Sequence, residues 1–264
     1  HAGQERGEDV RARWTLAMDP WLDLLPRGRD HLVVRPEDVR FRDRRVLGFH
    51  QAFGRAYTRE ELEAFVDDVV VGSPLMTAPR SVRLGASDVV VNVRRGDYYS
   101  DPVFRERFGF DIAAYLAAAL PAAREVGGPF GRLHVVSDDV AWCRRHLGDL
   151  APSGVEVTFA DGAGPADDFA VLASTRRIIA TNSTFGYWAA HVSNRLHPGE
   201  EAQVVVPSFH DRWVLGGSAV RKAGLEPARP KEPGPKPGAS ASSATCAQET
   251  GYAAGPARPI HCPA

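Results

Sequence analysis

Short apolar runs alternate with segments of helical spacing between residues 88 and 206, and this alternation restricts the possible fold most strongly. Residues 88–93 form an almost continuous β-branched run, and residues 111–126 are rich in Ala and Leu at helical spacing. Strands that alternate with helices predict βαβ units and a mostly parallel sheet. Strands that are apolar throughout predict a sheet covered on both faces. Further strands are predicted at 133–136, 155–159, 177–180 and 203–206, and further helices at 140–147, 167–175 and 185–196.

The ends of the 264-residue chain differ from this centre. Residues 1–80 are too short for a second Rossmann domain, so we expect a partial N-terminal domain before a Rossmann-like C-terminal domain at 81–215. Within 1–80, Thr58-Arg59-Glu60-Glu61 predicts the capping box of a helix over residues 60–70. Residues 216–264 are rich in Pro, Gly and Ala and contain few large aliphatic side chains. Such a segment buries too little apolar surface to offset its ordering entropy, which predicts disorder.

Charge and cysteine content exclude several classes of protein. The formal net charge is −1, so no overall field attracts the chain to nucleic acid or to a membrane. No apolar run is long enough to span a bilayer, and the polar N-terminus does not resemble a signal peptide. Three cysteines without a Cys-x-x-Cys pair predict neither a disulfide framework nor a zinc site. These features favour a cytoplasmic protein, either free or at a membrane surface; the oligomeric state is left open.

Polar clusters follow three of the predicted strands. In an open α/β sheet the ligand crevice lies outside the carboxyl ends of the strands. We therefore expect the three clusters to face one site, and this convergence is a stronger argument than any single cluster. The clusters are Arg94-Arg95-Gly96-Asp97, Ser137-Asp138-Asp139 and Asn182-Ser183-Thr184.

Each of the first two clusters has two readings. Arg94 and Arg95 can bind a diphosphate, because the guanidinium fork matches phosphate oxygens. Alternatively, they form a surface pair bound to nearby carboxylates. Asp138 and Asp139 can accept hydrogen bonds from a nucleotide base or a ribose, or one of them can cap the following helix. No further ligands accompany the two aspartates, so no metal site is predicted.

The third cluster lies where a predicted strand leads into a helix. The hydroxyls of Ser183 and Thr184, together with the free N–H groups of the helix, can form an anion site. Alternatively, the cluster with Asn182 only caps the helix. Phe185 follows directly and is a weaker candidate, because aromatic residues at helical spacing usually belong to the core. Asp167 or Asp168 is expected to cap the helix before this strand.

The residues around these clusters resemble the α-1,2-fucosyltransferases. Residues 91–98 (Val-Asn-Val-Arg-Arg-Gly-Asp-Tyr) are similar to the His-x-Arg-Arg-Gly-Asp-Tyr first motif of that family. Residues 135–143 resemble its second motif. Residues 168–194, with Ile-Ile-Ala-Thr-Asn-Ser-Thr-Phe-Gly-Tyr-Trp-Ala-Ala at 178–190, resemble its third. Residues 47–51 also resemble the Gly-Tyr-x-Gln-Ser stretch before the first motif. Order and gaps agree over residues 45–213.

The resemblance implies a GT-B architecture with the donor in the C-terminal domain and the acceptor on the side of residues 1–80. It implies transfer of L-fucose from GDP-β-L-fucose, with inversion and without a metal or other cofactor. The expected glycan acceptor is the 2-hydroxyl of a terminal β-galactoside. Two alternatives remain: a protein O-fucosyltransferase or another GDP-sugar transferase, and a protein that binds nucleotide sugars without catalysis.

The resemblance also implies roles for residues of the clusters. Arg94 would hold the diphosphate with support from Arg95, and Asp138 or Asp139 would read guanine. Ser183 and Thr184 would face the phosphates. A general base would help to deprotonate the acceptor hydroxyl; Asp97 is the candidate, unless it only orients the arginines.

Two positions depart from the family pattern. Asn92 stands where the motif has the His that is expected near guanine, so Asn92 is included among the donor-binding residues. The Gly-Leu-Gly-Asn-Gln segment that usually opens the family is not found. We therefore expect either that this sequence lacks an N-terminal portion or that this relative has lost part of its site.

Overall fold

Six parallel strands form one sheet in the computed structural model, which describes residues 20–28, 57–160, 162–208 and 214–220. The strands are β1 (Val89–Val93), β2 (Arg132–Ser137), β3 (Glu156–Phe159), β4 (Arg177–Ala180), β5 (Val204–Pro207) and β6 (Ser218–Val220). Their order is β3-β2-β1-β4-β5-β6, and every pairing between neighbours is parallel. This is the doubly wound order of a Rossmann fold. The predicted α/β class and parallel sheet are confirmed.

The helices lie before β1 and between the strands. A short helical segment at residues 20–24 precedes the helices that are numbered here. They are α1 (Arg59–Phe65), α2 (Pro74–Thr77), α3 (Gly96–Ser100), α4 (Pro102–Phe108), α5 (Ile112–Gly127), α6 (Val140–Leu147), α7 (Pro165–Ser174) and α8 (Thr184–Leu196). A π-helical turn (Val66–Val71) follows α1, and 3-10 turns lie at Gly148–Leu150 and Glu201–Gln203. The short helices α3 and α4 were not expected from the sequence.

Side chains of alternating strand residues enter two separate cores, one on each face of the sheet. Val90 and Ile178 pack on the face that α7 and α8 cover. Val89 and Val91 pack on the opposite face, against α5 and α6. All of these strand residues are fully buried, as the continuous apolar runs predict.

A buried arginine at the start of β4 fastens the sheet to the end of α5. Arg177 is 2% exposed, and its guanidinium donates to the carbonyls of Ser87, Ala123, Gly128 and Pro129. Gly128 is the C-cap of α5, and Ser87 and Pro129 lie outside the helix, so Arg177 supplies donors to carbonyls that helical hydrogen bonds do not satisfy. Burial lowers the pKa of the guanidinium.

The described part of residues 1–80 packs into the same core as the sheet. The predicted capping box is confirmed, because Thr58 Oγ1 accepts from the Glu61 amide and Glu61 Oε2 accepts from the Thr58 amide. The α-helix is shorter than predicted, because the π-helical turn replaces its second half. Val66 and Met76 contact the core beneath α7 and α8. A partial N-terminal domain ending at residue 80 is therefore not confirmed.

The predicted start of disorder at residue 216 is wrong. Residues 218–220 form β6 and pair with β5, with Val206 opposite Ala219. A strand at the edge of a sheet is held by main-chain hydrogen bonds, which do not require the large side chains that this segment lacks. Residues 221–264 and the motif-like residues 47–51 lie outside the described residues. The described residues belong to one compact unit, His1–Glu226.

The predicted aspartate cap of α7 is also wrong. The residue before α7 is Gly164, at a φ of 101°, and no side chain caps the helix. Asp167 instead accepts a hydrogen bond from the Ser81 amide at 2.8 Å. Gly164 replaces a capping side chain because the chain enters the helix in a left-handed conformation that favours glycine.

Candidate functional site

A cavity of about 180 Å³ opens where β1, β2 and α7 meet the start of α8. The chain builds β2 and β3 on one side of β1 and places β4, β5 and β6 on the other, so the strand order reverses between β1 and β4. Such a switch point is where α/β sheets bind ligands. The cavity is lined by Asn92, Val93, Arg94, Val136, Ser137, Asp138, Pro165, Asp168, Ser183 and Phe185.

All three predicted clusters contribute to this cavity, but only half of the predicted residues line it. Those that line it are Asn92, Arg94, Asp138, Ser183 and Phe185. Those that do not are Arg95, Asp97, Asp139, Asn182 and Thr184. The predicted convergence of the three clusters on one cavity is therefore found, while half of the predicted residues lie beside the cavity and do not line it.

Arg94 lies between two carboxylates at the edge of the cavity. Its Nη1 lies 2.7 Å from Asp138 Oδ2, and its Nη2 lies 2.6 Å from Asp97 Oδ1. Its backbone N–H donates to Thr181 Oγ1 at 3.1 Å, which joins the end of β1 to the end of β4. A guanidinium has five N–H donors, so these bonds leave donors for a ligand.

Arg95 is held away from the cavity. Its guanidinium carbon lies 4.3 Å from the ring centroid of Tyr99 and 4.0 Å from that of Trp142. Its Nε donates to Asp139 Oδ2 at 3.1 Å, and only 17% of the side chain is exposed. Each of the two interpretations of the Arg-Arg pair therefore applies to one arginine. Arg94 reaches the cavity, while Arg95 packs between aromatic rings and pairs with a carboxylate.

The two aspartates divide in the same way. Asp139 Oδ1 accepts from the Trp142 amide at 3.0 Å, which confirms the predicted helix cap. Partial burial acts to raise the pKa of Asp139, but the hydrogen bonds from Trp142 and Arg95 prevail and lower it. Asp138 lines the cavity; Oδ1 accepts from the Arg95 amide at 2.8 Å, and Oδ2 contacts Arg94. The placement of Asp139 favours capping over reading a base.

The formal charge beside the cavity is not positive. Arg94 and Arg95 contribute two positive charges, and four aspartates contribute four negative ones, a sum of −2; the aspartates are Asp97, Asp138, Asp139 and Asp168. An anion that binds here competes with these carboxylates for the N–H donors of Arg94. The N-terminus of α8 adds the equivalent of about half a positive charge.

The third cluster both caps α8 and borders the cavity. Ser183 is the N-cap, and its Oγ accepts from the Gly186 amide at 3.3 Å. The first four N–H groups of an α-helix have no intrahelical acceptor, so this end of the 13-residue helix is a site for anions. Asn182 lies beside it and donates through Nδ2 to the carbonyl of Phe108 at 3.3 Å.

The side chain of Asn92 is 4% exposed, and its Oδ1 has no hydrogen-bond donor among the described residues. The oxygen occupies space that Gly186 leaves free, since a Cβ on Gly186 would lie 2.5 Å from Oδ1. A buried acceptor without a donor costs about 1–3 kcal/mol. Asn92 therefore keeps, beside the cavity, a buried acceptor that has no donor among the described residues.

Sequence reasoning missed the contribution of α7 to the cavity. Asp168 lies in the first turn of this helix and lines the cavity together with Pro165. Asp168 was not considered as a site residue, because it was expected only to cap the helix. A usable signal was present, because α7 follows β3 and therefore begins at the same edge of the sheet as the three clusters.

A larger cavity of about 670 Å³ lies elsewhere, beside the amino end of β4. Its lining includes Arg80, Arg83, Arg176 and His197, but none of the predicted site residues. The larger volume therefore does not coincide with the cavity that the three clusters line.

Within the described ranges, no group of three His, Cys, Asp or Glu side chains could hold a metal ion. The expected independence of metal ions stays a prediction. No helix in the same ranges has the length and apolar character needed to cross a membrane.

A comparison of sequences decides the family. The profile of glycosyl transferase family 11 matches residues 55–199, which is more than half of the chain. The chain belongs to glycosyl transferase family 11. The match includes all three motifs and therefore every residue that lines the cavity.

Curated relatives of this family 11 chain are named as transferases of deoxy sugars. Galactoside 2-alpha-L-fucosyltransferase SEC1 of Bos taurus is 33% identical over 183 residues, which are 60% of this chain and 44% of the relative. Galactoside alpha-(1,2)-fucosyltransferase 1 of Saimiri sciureus is 37% identical over 126 residues, with shares of 43% and 32%. Alpha-1,2-colitosyltransferase of Escherichia coli is 27% identical over 110 residues, with shares of 41% and 37%. The chain spans less than half the length of each of these relatives.

Among solved structures, POFUT1 in complex with GDP matches 53% of this chain and 44% of its own. The identity is 12% and the TM-score is 0.34, so this likeness supports no conclusion about the family 11 chain.

Proposed function

We propose that this chain provides the donor site of a fucosyltransferase that moves L-fucose from GDP-fucose to the 2-hydroxyl of a terminal β-galactoside, with inversion. The observation that carries the proposal is the cavity at the switch point, which residues from all three motifs line. Family membership and the names of the relatives support glycosyl transfer. One relative is named for the transfer of colitose instead of fucose, so the identity of the transferred sugar is itself proposed here.

Arg94 and the N-terminus of α8 bind the diphosphate in this proposal. On donor binding, Arg94 exchanges Asp97 or Asp138 for phosphate oxygens, to which the guanidinium fork can donate two parallel hydrogen bonds. The free N–H groups after Ser183 receive further phosphate oxygens. Both groups stabilise the negative charge that develops on GDP as the glycosidic bond breaks, which serves catalysis without a metal.

Guanine is read by a carboxylate that accepts hydrogen bonds from its two adjacent N–H donors. We assign this role to Asp168, because it lies in the first turn of α7 and lines the same cavity as Arg94 and Ser183. Asn92 Oδ1 provides an additional acceptor there.

Asp97 is proposed to orient Arg94, because the two side chains form a 2.6 Å ion pair. Its role as general base stays a prediction. An Asp97→Asn variant separates the two roles. Loss of orientation raises the dissociation constant of GDP, whereas loss of a base lowers kcat and leaves GDP binding unchanged.

The direct test is transfer from GDP-fucose to N-acetyllactosamine in the presence of EDTA, with the linkage of the product read by NMR. The proposal predicts a fucose joined to the 2-hydroxyl of galactose with inversion at the anomeric carbon. Binding of GDP without transfer to any β-galactoside would instead support a protein that binds nucleotide sugars without catalysis. A chain that does not bind GDP would overturn both functions.

A further inference from the structure

A cluster of aromatic side chains, two half-buried and one exposed, lies beside Arg94, which lines the cavity. It is formed by Tyr98 on α3 and by Phe104 and Phe108 on α4. The rings of Tyr98 and Phe108 stack with centroids 4.8 Å apart and planes 22° apart. Phe104 is tilted against Phe108, with centroids 6.1 Å apart and planes 59° apart. We call these three rings the aromatic platform.

The platform contributes little to the core. No residue of α3 or α4 is buried, and Phe104 keeps 40% of its surface exposed. Large apolar groups on the surface of a soluble protein commonly mark a binding site when they form a contiguous patch. The neighbouring Val103 is 69% exposed and extends the patch along α4.

Contacts to residues of the first and third motifs hold the platform at the cavity. The guanidinium carbon of Arg94 lies 5.3 Å from the centroid of the Tyr98 ring. Asn182 Nδ2 donates to the carbonyl of Phe108, which ties the end of α4 to the end of β4. A ligand on the platform would therefore adjoin the diphosphate that Arg94 is proposed to bind.

The chemistry around the rings suits a saccharide. One face of a pyranose ring presents C–H groups with partial positive charge, which complement the negative face of an aromatic ring. Its hydroxyls need polar partners at the rim, and Asp97 and Asp101 lie at the start of the two helices, with Arg105 and Arg107 along α4. A surface that combines flat apolar faces with charged groups at its rim suits a saccharide ligand better than a purely apolar ligand.

We propose that the aromatic platform is an acceptor subsite outside residues 1–80, the side to which the family resemblance assigns the acceptor, and that it stacks on a pyranose ring of the saccharide that receives the sugar. This inference rests on the proposed function, because it takes the adjoining cavity as the donor site. Phe104 supplies the most accessible ring face, while Tyr98 and Phe108 position it. The sequence gives no sign of this role, because Phe104 lies outside all three motifs.

The test measures binding of N-acetyllactosamine to the GDP-loaded chain by saturation-transfer NMR. Phe104→Ala should weaken saccharide binding by at least about fivefold, since one stacked ring is lost. Phe104→Trp should retain it. The matched control is Val126→Ala, which also removes an exposed apolar side chain (41% exposed), but at the far end of α5. Thermal unfolding of each variant reports whether the fold is kept.

Equal saccharide binding by the wild type and Phe104→Ala, or no saccharide binding by the wild type, would overturn the proposal. A change of oligomeric state in Phe104→Ala with saccharide binding unchanged would assign the platform to protein contacts and overturn it as well. GDP affinity is measured in parallel. Intact GDP binding with a failed saccharide test leaves the donor site standing, whereas absent GDP binding refutes the proposed function itself.

Discussion

Arg94 Nη1 lies 2.7 Å from Asp138 Oδ2, and this ion pair joins the first motif to the second across the ends of two neighbouring strands. With Asp97 on its other side, Arg94 is held at the mouth of the cavity in the absence of a ligand. Both side chains of the pair are partly exposed, at 37% and 28%, so the pair contributes little to folding stability. In this position the Asp138 carboxylate competes with an anion for the N–H donors of Arg94.

The assignment of guanine to Asp168 predicts a difference between two ligands. Asp168→Asn should weaken GDP binding by about 10- to 100-fold, because a hydrogen bond to a charged group contributes about 1.5–3 kcal/mol. Binding of inorganic pyrophosphate, which has no base, should not weaken. Asp138→Asn is the matched control and should not weaken GDP binding, since it removes a competitor for Arg94. Calorimetric titration measures the affinity for both ligands. A larger loss of GDP affinity in Asp138→Asn than in Asp168→Asn would instead assign guanine binding to Asp138.

The contact between Asn92 and Gly186 predicts that the effect of Gly186→Ala on the free energy of unfolding changes sign when Asn92 is replaced by Ala. Gly186→Ala alone should destabilise the protein by about 1–2 kcal/mol, because the new Cβ would lie 2.5 Å from Asn92 Oδ1 in a packed interior. In an Asn92→Ala background the same change should stabilise by about 0.5–1 kcal/mol, because Ala favours the helix over Gly. Urea unfolding of the four proteins gives the coupling energy. The same effect of Gly186→Ala in both backgrounds would contradict the contact.

Arg177 should be the most sensitive arginine for stability. Arg177→Met leaves four carbonyls without their donor in a buried site, and we expect a loss of about 3–5 kcal/mol in the free energy of unfolding. The adjacent Arg176 forms only an exposed ion pair with Glu200, so Arg176→Met should cost less than about 1 kcal/mol. Comparable losses in urea unfolding for the two variants would show that Arg177 does not fasten α5 to β4.

His191 predicts a loss of stability on acidification. Burial, with a smaller effect of Arg59, lowers its pKa from 6.5 to about 4 in the folded protein. Between these values the unfolded chain binds a proton that the folded chain does not, so the free energy of unfolding falls as the pH falls. The slope from this group is at most about 1.4 kcal/mol per pH unit. His191→Gln should reduce the fall in stability between pH 6.5 and pH 5 in urea unfolding; an unchanged fall would assign it to other groups.

Much of the fold could be predicted because the strands are continuous apolar runs with helices between them. The bounds predicted for β4 and α6 agree with the structure. The short helices α3 and α4 could not be predicted, because none of their residues is buried and they therefore show no buried stripe. β6 was missed because main-chain pairing, rather than a large apolar side chain, defines it.

The position of the site could also be predicted, because parallel strands bring their carboxyl ends to one edge. The division of tasks within each cluster could not. Arg94 and Arg95 are neighbours with the same charge, and only side-chain packing against Tyr99 and Trp142 separates them. Likewise, Asp139 caps α6 while Asp138 reaches the cavity, a difference that depends on the geometry of one turn.

The most direct test of the donor site is calorimetric titration of the chain with GDP, for the wild type and for Arg94→Ala. Arg124→Ala, which removes an exposed arginine from the last turn of α5, is the matched control. The account predicts one GDP site in the wild type, at least about tenfold weaker binding in Arg94→Ala, unchanged binding in the control, and closely similar unfolding temperatures for all three. Absence of GDP binding by the wild type, or equal affinity in Arg94→Ala, would contradict the account.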